Sequence, residues 1–451
     1  MFFVLVLLFG LFQASASCVI KEVSLEGLWQ EDHQHLYASL VEKPCSILAS
    51  INQEVLKWHE DHGFPAAQIQ VDSSLVGLTR VILDRGTAWV WASPENKSQS
   101  KTKKDLWPKL SGIKEGAPFS LSHLGKAETQ LLRLGYYEKE APTQLFRQAR
   151  RHRLVPVFFM KDRAINHAEA FFSYSSVDKE YSGSLEIALL NIMGTARDLY
   201  IEGETGEWGR SLSIKYKEPW IFSTEWSGLL RGAIEEDSLS KDALLEIGLS
   251  RMIFWDIDFA FFGGIGDDEW TTALELRYLK LDRFILPRSG ISMDGGMKIL
   301  QKRDSVQNAT MALQAEGYYL LPFFGNGVLR FSISSGALLP VKRDFAIENL
   351  FELGGVESFK GYRKGFFRSR AYGWSECLFE WQTVSETAFQ IFYQPGIYKA
   401  RSPEHGWKDV YSYGLGLSQY RDRWNISIYY ALHSAAPFLE GLLHLNVKTV
   451  F

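Results

Sequence analysis

Three cysteines in 451 residues are too few for a scaffold built on disulfides, and an odd number cannot all pair. No stretch reaches 18 consecutive apolar residues, which excludes a transmembrane helix. Neither sign of charge dominates. With 49 Lys and Arg against 53 Asp and Glu, the net charge is −4, so no global field argues for a nucleic-acid partner. No Gly-x-Ser-x-Gly occurs, which argues against a fused lipase domain. The run His59-Glu60-Asp61-His62 lacks the two spacers that would put both histidines on one helix face, because Gly63 stands in the fifth place. It reads as a solvated helix end, and His33-x-His35 as surface. No residue spacing suggests a catalytic triad, so no enzyme activity, metal or cofactor is expected.

What the chain does have is aromatic residues (14%) and 37 glycines. Its mean hydropathy of −0.12 is uninformative for a β-barrel, whose polar inward residues cancel its apolar outward ones. Met1 to Phe12 form an apolar run too short to span a bilayer, and Ala14-Ser15-Ala16 follows as a small-x-small cleavage signal. Residues 1–16 therefore read as a secretory signal peptide, although no Lys or Arg precedes its apolar core. Cys18 and Cys45 lie in the exported part and can form one disulfide, or remain unpaired or lipid-modified. Ser15 sits where a lipidation signal prefers Leu. Cys377 reads as a small hydrophobe on an apolar strand face.

The second half alternates. Leu329, Phe331, Ile333, Ser335 and Ala337 share one parity, with Arg330, Ser332 and Ser334 on the other. Ser375, Cys377, Phe379 and Trp381 oppose Glu376 and Glu380. The same pattern runs through Leu212 to Tyr216, Ala243 to Leu249, Leu274 to Tyr278 and Trp424 to Tyr430. Alternation breaks at Leu279 and Lys280, where a strand is predicted to end. The last strand places Gly441, Leu443, Leu445, Val447, Thr449 and Phe451 outward and His444, Asn446 and Lys448 inward. One greasy and one polar side on every strand is the pattern of a transmembrane β-barrel.

Between two such strands lies Phe351-Glu352-Leu353-Gly354-Gly355-Val356-Glu357-Ser358-Phe359-Lys360-Gly361-Tyr362. Lys360, Arg363, Lys364, Arg368 and Arg370 crowd this segment. A loop this basic is either solvated outside or held against carboxylates inside something.

The stretch GGVESFKGY resembles the GG-x-x-S-h-R-G-[FY] loop signature of the BamA/TamA superfamily of outer-membrane assembly and secretion proteins. The resemblance implies a barrel of 16 strands with this loop folded into its lumen. From Ala164 each strand with its turn would have about 18 residues, enough for the roughly 9–11 that a tilted membrane strand needs. It also implies a lock between the loop and an acidic residue of the wall. Gly354, Gly355, Lys360, Gly361 and Tyr362 are the candidate loop residues, with Glu376 and Glu380 as the carboxylates. Lysine replaces the family's arginine here, offering a point charge instead of a planar fork. Phe392-Tyr393-Gln394-Pro395-Gly396 replaces the family's F-x-D-x-G, which puts a second salt bridge in doubt and leaves the loop more mobile. The terminal aromatic Phe451 resembles the assembly signal of outer-membrane barrels. A weak seam between first and last strands is implied, with Ala168 to Ser175 and Gly441 to Phe451 as its sides and Phe171, Ser173, Gly441, Leu443 and Phe451 as candidate residues.

Upstream, residues 19–86 read as strand, two helices and two strands, the order of a POTRA domain, and HGFPAAQI resembles that domain's helix-to-strand turn. Residues 87–163 repeat the order: a strand at Thr87 to Ala92, a lysine-rich loop at Glu95 to Lys104, a short helix at Leu106 to Leu110, and a second helix capped by Ser120 with Leu121, Leu124, Leu131 and Leu132 near one face. Arg147, Arg150, Arg151, His152 and Arg153 then cap a hairpin. The expected fold is thus two α+β POTRA modules followed by an all-β antiparallel barrel over residues 164–451, placed in a bacterial outer membrane with the modules in the periplasm. The expected function is assembly or translocation of outer-membrane or secreted client proteins, of the TamA-like kind. Expected partners are membrane lipids, unfolded clients and an inner-membrane or periplasmic accessory protein. The alternatives are a two-partner secretion transporter, which two modules fit but which lacks its plug helix here, and a passive pore.

Overall fold

The computed structural model describes residues 19–451 except 28, 76–77, 149–150, 175–180, 207–208, 222–224, 238–240, 254–256, 283–286, 304–308, 341–344, 346–348, 356–357, 384–385, 402–405, 422 and 435–436. The expected signal peptide and Cys18 lie outside the described residues. Cys45 is disulfide-bonded. The chain divides into two compact units at Arg163 and Ala164.

In the first unit, β1 (Glu22–Gly27), α1 (Glu31–Ala38), α2 (Ile47–Asp61), β2 (Gln68–Leu75) and β3 (Leu78–Asp84) follow in that order. The sheet order is β1-β3-β2, with β1 parallel and β2 antiparallel to β3. Leu48, Ile51, Val55 and His59 recur at helical spacing and form the buried stripe of α2, which packs with Tyr37, Leu40 and Val81. His59 corrects the reading of its motif as a solvated end, because its side chain is fully buried. Its neighbour His62 stacks on Trp58 at 3.8 Å. Among the described residues, no group of three His, Cys, Asp or Glu is placed to hold a metal.

The second half of this unit is centred on β8 (Arg153–Phe158), which runs parallel to β4 (Val90–Trp91) and β5 (Glu95–Asn96) and antiparallel to β7 (Gln144–Gln148). The strand expected at Thr87 to Ala92 is therefore only two residues long. Pro94 has no N–H for a ladder, so pairing to β8 pauses and resumes at Glu95, inside the segment expected to be a loop. The expected short helix is α3 (Trp107–Ser111), and α4 (Leu121–Arg133) starts where Ser120 Oγ accepts the His123 N–H at 3.1 Å. Leu124, Ala127 and Leu131 form the buried face of α4, whereas Leu121 is exposed, a correction to the expected stripe. A second ribbon pairs β6 (Tyr137–Lys139) with β9 (Met160–Asp162).

The second unit is a closed antiparallel barrel of sixteen strands. It begins with β10 (His167–Tyr174), β11 (Tyr181–Leu189), β12 (Asp198–Thr205), β13 (Gly209–Glu218), β14 (Ser227–Asp237), β15 (Lys241–Met252), β16 (Ile257–Gly266) and β17 (Glu269–Leu281). Next are β18 (Gly290–Lys302), β19 (Thr310–Phe323) and β20 (Gly327–Leu339). A two-stranded hairpin of β21 (Phe351–Leu353) and β22 (Phe367–Ser369) interrupts the wall, which resumes with β23 (Ala371–Gln382), β24 (Thr387–Lys399), β25 (Trp407–Arg421), β26 (Trp424–His433) and β27 (Leu442–Val450). The predicted end of β17 at Leu279 is corrected, since Lys280 and Leu281 still pair with Ile291 and Gly290. Backbone pairing carries the strand past the point where its side chains stop alternating.

Alternation sets which side faces what. Leu245, Ile247 and Leu249 are exposed on the outer wall, while Glu246 between them is 1% exposed and faces inward. Because strands run alternately up and down, Phe323, Trp381, Trp424 and Phe451 fall at the end that holds the barrel's two termini, and Tyr181, Trp270 and Trp407 at the opposite end. All seven are outward and exposed, as the two aromatic girdles of a membrane barrel require. Closure is by β10 against β27, over His167–Tyr174 and Leu443–Val450. A lipid-facing edge without partners costs several kcal/mol for each unpaired group, so this last ladder is what makes the wall tenable in a bilayer.

Candidate functional site: the luminal loop and the closing ladder

The loop between β20 and β23 is folded against the inside of the wall. Ser358 folds its tip: its Oγ accepts the Gly354 N–H at 2.6 Å and donates to Gly354 O at 2.9 Å. Phe359 is then fully buried among Leu353, Tyr362, Tyr372 and Val410. Gly396 on β24 makes room for it, because a Cβ there would lie 2.3 Å from Phe359 Cζ. Gly361 has a φ of +92° and lies on β26, where a Cβ would lie 2.9 Å from the Leu432 carbonyl carbon. Tyr362 stacks on His433 with ring centroids 4.9 Å apart.

Lys360 forms a buried ion pair with Glu376 on β23, their side chains 11% and 4% exposed. Its Nζ also lies 5.1 Å from the centre of the Phe392 ring. Glu380 does not share this pair, a correction to its candidacy. It faces inward four residues further along the strand and accepts from Gln382 Nε2 at 2.7 Å and Gln390 Nε2 at 2.6 Å.

Gln394 also reverses its expectation. It is fully buried, and its Oε1 accepts the Lys360 N–H at 3.1 Å and the Ser412 hydroxyl at 3.2 Å, while Nε2 donates to Ser358 O. The amide thus holds the loop backbone where an aspartate would offer acceptors only. Wall register explains why both groups meet the tip. Trp374 pairs with Gly396 and Cys377 with Tyr393, which sets Glu376 opposite Gln394 where Pro395 interrupts the ladder.

Three further anchors were not foreseen. Lys364 Nζ reaches Glu204 Oε1 on β12 at 2.5 Å, and Arg368 pairs with Glu352 across the small hairpin at 2.7 Å. His444 on β27 accepts the Gly361 N–H through Nε2 at 3.3 Å. The inward parity of His444 was legible, but a hydrogen bond to a backbone amide leaves no mark in residue spacing. The loop tip therefore touches β23, β24, β26 and the closing strand β27 in turn.

On the inner side of the closing ladder, Glu169 binds Asn446 Nδ2 at 3.0 Å and Lys448 Nζ at 2.7 Å. Ser173 Oγ lies 2.6 Å from His444 Nδ1. Phe171 is set inward opposite Asn446, and Leu443 outward opposite Tyr174. Phe451 donates its N–H to Asn166 O at 2.8 Å beside the end of the ladder. Gly441 is corrected as a seam residue: it precedes β27, and its N–H donates to the Tyr430 hydroxyl at 3.1 Å. A cavity of about 720 Å³ remains in the lumen, walled by inward groups of β11 to β20 that include Arg231, Asp258, Arg277 and Glu316.

No protein-family model matches the chain, and no curated protein matches it in sequence. Solved structures do match. BamA from Haemophilus ducreyi lacking POTRA domains 1–3 aligns over 96% of this chain and 100% of its own, with 13% identity and a TM-score of 0.54. CdiB from Acinetobacter baumannii aligns over 96% and 90%, with 14% identity and a TM-score of 0.63. CdiB from Escherichia coli aligns over 98% and 93%, with 11% identity and a TM-score of 0.64. With its closed sixteen-strand wall and girdled outer face, the chain has the fold of a BamA/TamA-like outer-membrane β-barrel.

Proposed function

We propose that the protein is an outer-membrane assembly or translocation factor, with its N-terminal modules acting as POTRA domains in the periplasm. The observation that carries this reading is the buried polar anchoring of the loop. The Lys360–Glu376 pair, Gln394 and His444 tie a segment of the lumen to β23, β24 and the closing strand β27. A pore needs only a narrow bore, whereas these bonds give the loop a defined position from which it can be released. The modules would receive an extended client by β-augmentation. β2 is one of the two edge strands of its three-stranded sheet, and β7 pairs only with β8 among the described residues and exposes Leu145 and Phe146. The ladder between β10 and β27 would then pass the client to the membrane.

The two CdiB structures favour a second reading, transport of a secreted passenger through the lumen. Reconstitution into lipid vesicles separates the readings. Insertion of a client barrel, release of a secreted passenger and ion conductance are measured on the same preparation. Removal of residues 19–163 is expected to abolish insertion and spare conductance. Insertion that survives the removal overturns the client-binding role of the modules, and conductance alone from the full chain supports a passive pore.

A further inference from the structure

His444 makes two contacts that together leave its ring little freedom. Its Nε2 accepts the Gly361 N–H from the loop tip at 3.3 Å, and its Nδ1 lies 2.6 Å from Ser173 Oγ on β10. A neutral imidazole has one donor nitrogen and one acceptor. A backbone N–H can only donate, so Nε2 is the acceptor and the proton sits on Nδ1, from which it is given to the Ser173 hydroxyl. The ring is fully buried, so neither nitrogen has bulk water as an alternative partner. Gly361 is pressed against the Leu432 carbonyl group too closely for any side chain, and this holds its amide at the imidazole.

We infer that His444 is a positioning residue that couples the loop to one half of the closing ladder, so that loop release loosens the seam from the end away from the barrel's two termini. The inference rests on the functional reading above for why the seam should open, and adds to it the residue that transmits the signal. When Gly361 leaves, Nε2 becomes a buried acceptor without a donor. Turning the ring to find a donor breaks the present bond to Ser173, and moving the proton to Nε2 reverses that bond, so that the Ser173 hydroxyl donates to Nδ1. Ser173 and His444 face each other one register step from the Tyr174 end of the ladder. The Glu169 contacts with Asn446 and Lys448 lie toward the His167 end and do not involve the loop. Opening is therefore polarised.

The test is amide hydrogen exchange on the full chain in lipid nanodiscs. Lys360→Ala, or Gly361→Val where the loop amides stay protected, releases the tip and is checked by exchange at residues 358–362. In the otherwise native chain, exchange of 171–174 and 442–445 is expected to rise about tenfold, the scale of one buried hydrogen bond, with 167–170 unchanged. In a His444→Phe background the same release is expected to add less than about twofold, because the link is already cut. His444→Gln, which offers one acceptor and one donor, is expected to restore the tenfold response. Equal acceleration in the native and His444→Phe backgrounds overturns the inference, as does a released loop that leaves 171–174 protected. Client insertion is not read in this experiment, so failure of the functional reading and failure of the coupling show up separately.

Discussion

Glu376 and Gln394 face each other across β23 and β24 at the one point where Pro395 leaves the wall without a donor, and both turn inward to hold the same lysine. Glu376 takes its ammonium and Gln394 its backbone N–H. A charge and an amide thus anchor one residue by two unrelated atoms.

Breaking the charge pair should be costly and repairable. Lys360→Ala leaves Glu376 buried and unpaired, a loss of roughly 3–5 kcal/mol in the local stability of the loop. Lys360→Met combined with Glu376→Gln should recover most of it, since no buried charge remains. Protease cleavage of the loop and the heat needed to unfold the barrel in detergent are the measurements. A loop as protected in Lys360→Ala as in the native chain would rule out the anchor.

The amide makes three hydrogen bonds, so Gln394→Ala should loosen the loop by about 1–3 kcal/mol even with the ion pair intact. Ser412→Ala removes one of the three and should have the smaller effect. Exchange of the Lys360 amide orders the two variants.

Gly396 tests the packing alone. Gly396→Ala puts a methyl group where the Phe359 ring lies, and overpacking of this kind typically costs about 1–3 kcal/mol. The loop should become protease-sensitive while the far ladder between β17 and β18 keeps its exchange protection.

Acid should weaken the first unit through His59. Burial lowers the pKa of this imidazole to about 4 from 6.5, with the Arg85 charge adding to the shift. Neither ring nitrogen has a hydrogen-bond partner. Between these values the unfolded chain binds the proton and the folded chain does not, so lowering the pH favours unfolding. The contribution is fully present above pH 6.5 and disappears as pH falls toward 4. Exchange in α2 followed from pH 7 to 4 should show this loss, and His59→Gln should flatten it.

The barrel was legible because its signal is periodic and repeated. Ala243 to Leu249 and Gly441 to Phe451 announce their faces residue by residue, and a lipid outside with water inside permits few exceptions. Strand ends were less legible, as Leu279 shows, since pairing continues beyond the apolar band. The site divided along the same line. The Lys360 lock was implied by the resemblance of the loop signature, and strand parity supplied Glu376 and Glu380 as its candidate partners. Gln394, by contrast, was taken for a missing acid because its value lies in the amide hydrogens it gives to and the backbone N–H it receives from the loop. Gly441 misled because a glycine near a seam suggests weak pairing, whereas here Tyr430 covers it. His444 was invisible as a link, its partners being a backbone amide and a serine 271 residues away.

Strand length also varies around the wall: β10 has eight residues and β27 nine, whereas β19 has fourteen and β25 fifteen. At about 3.3 Å per residue, eight residues measure ~26 Å along the strand and less once tilted, short of a hydrocarbon layer ~30 Å thick. Acyl chains beside β10 and β27 must therefore compress or splay, while those beside β19 can stand at full height. The protein presents the bilayer with a low sill on one flank, and a segment leaving the lumen there would enter lipid already thinned to receive it.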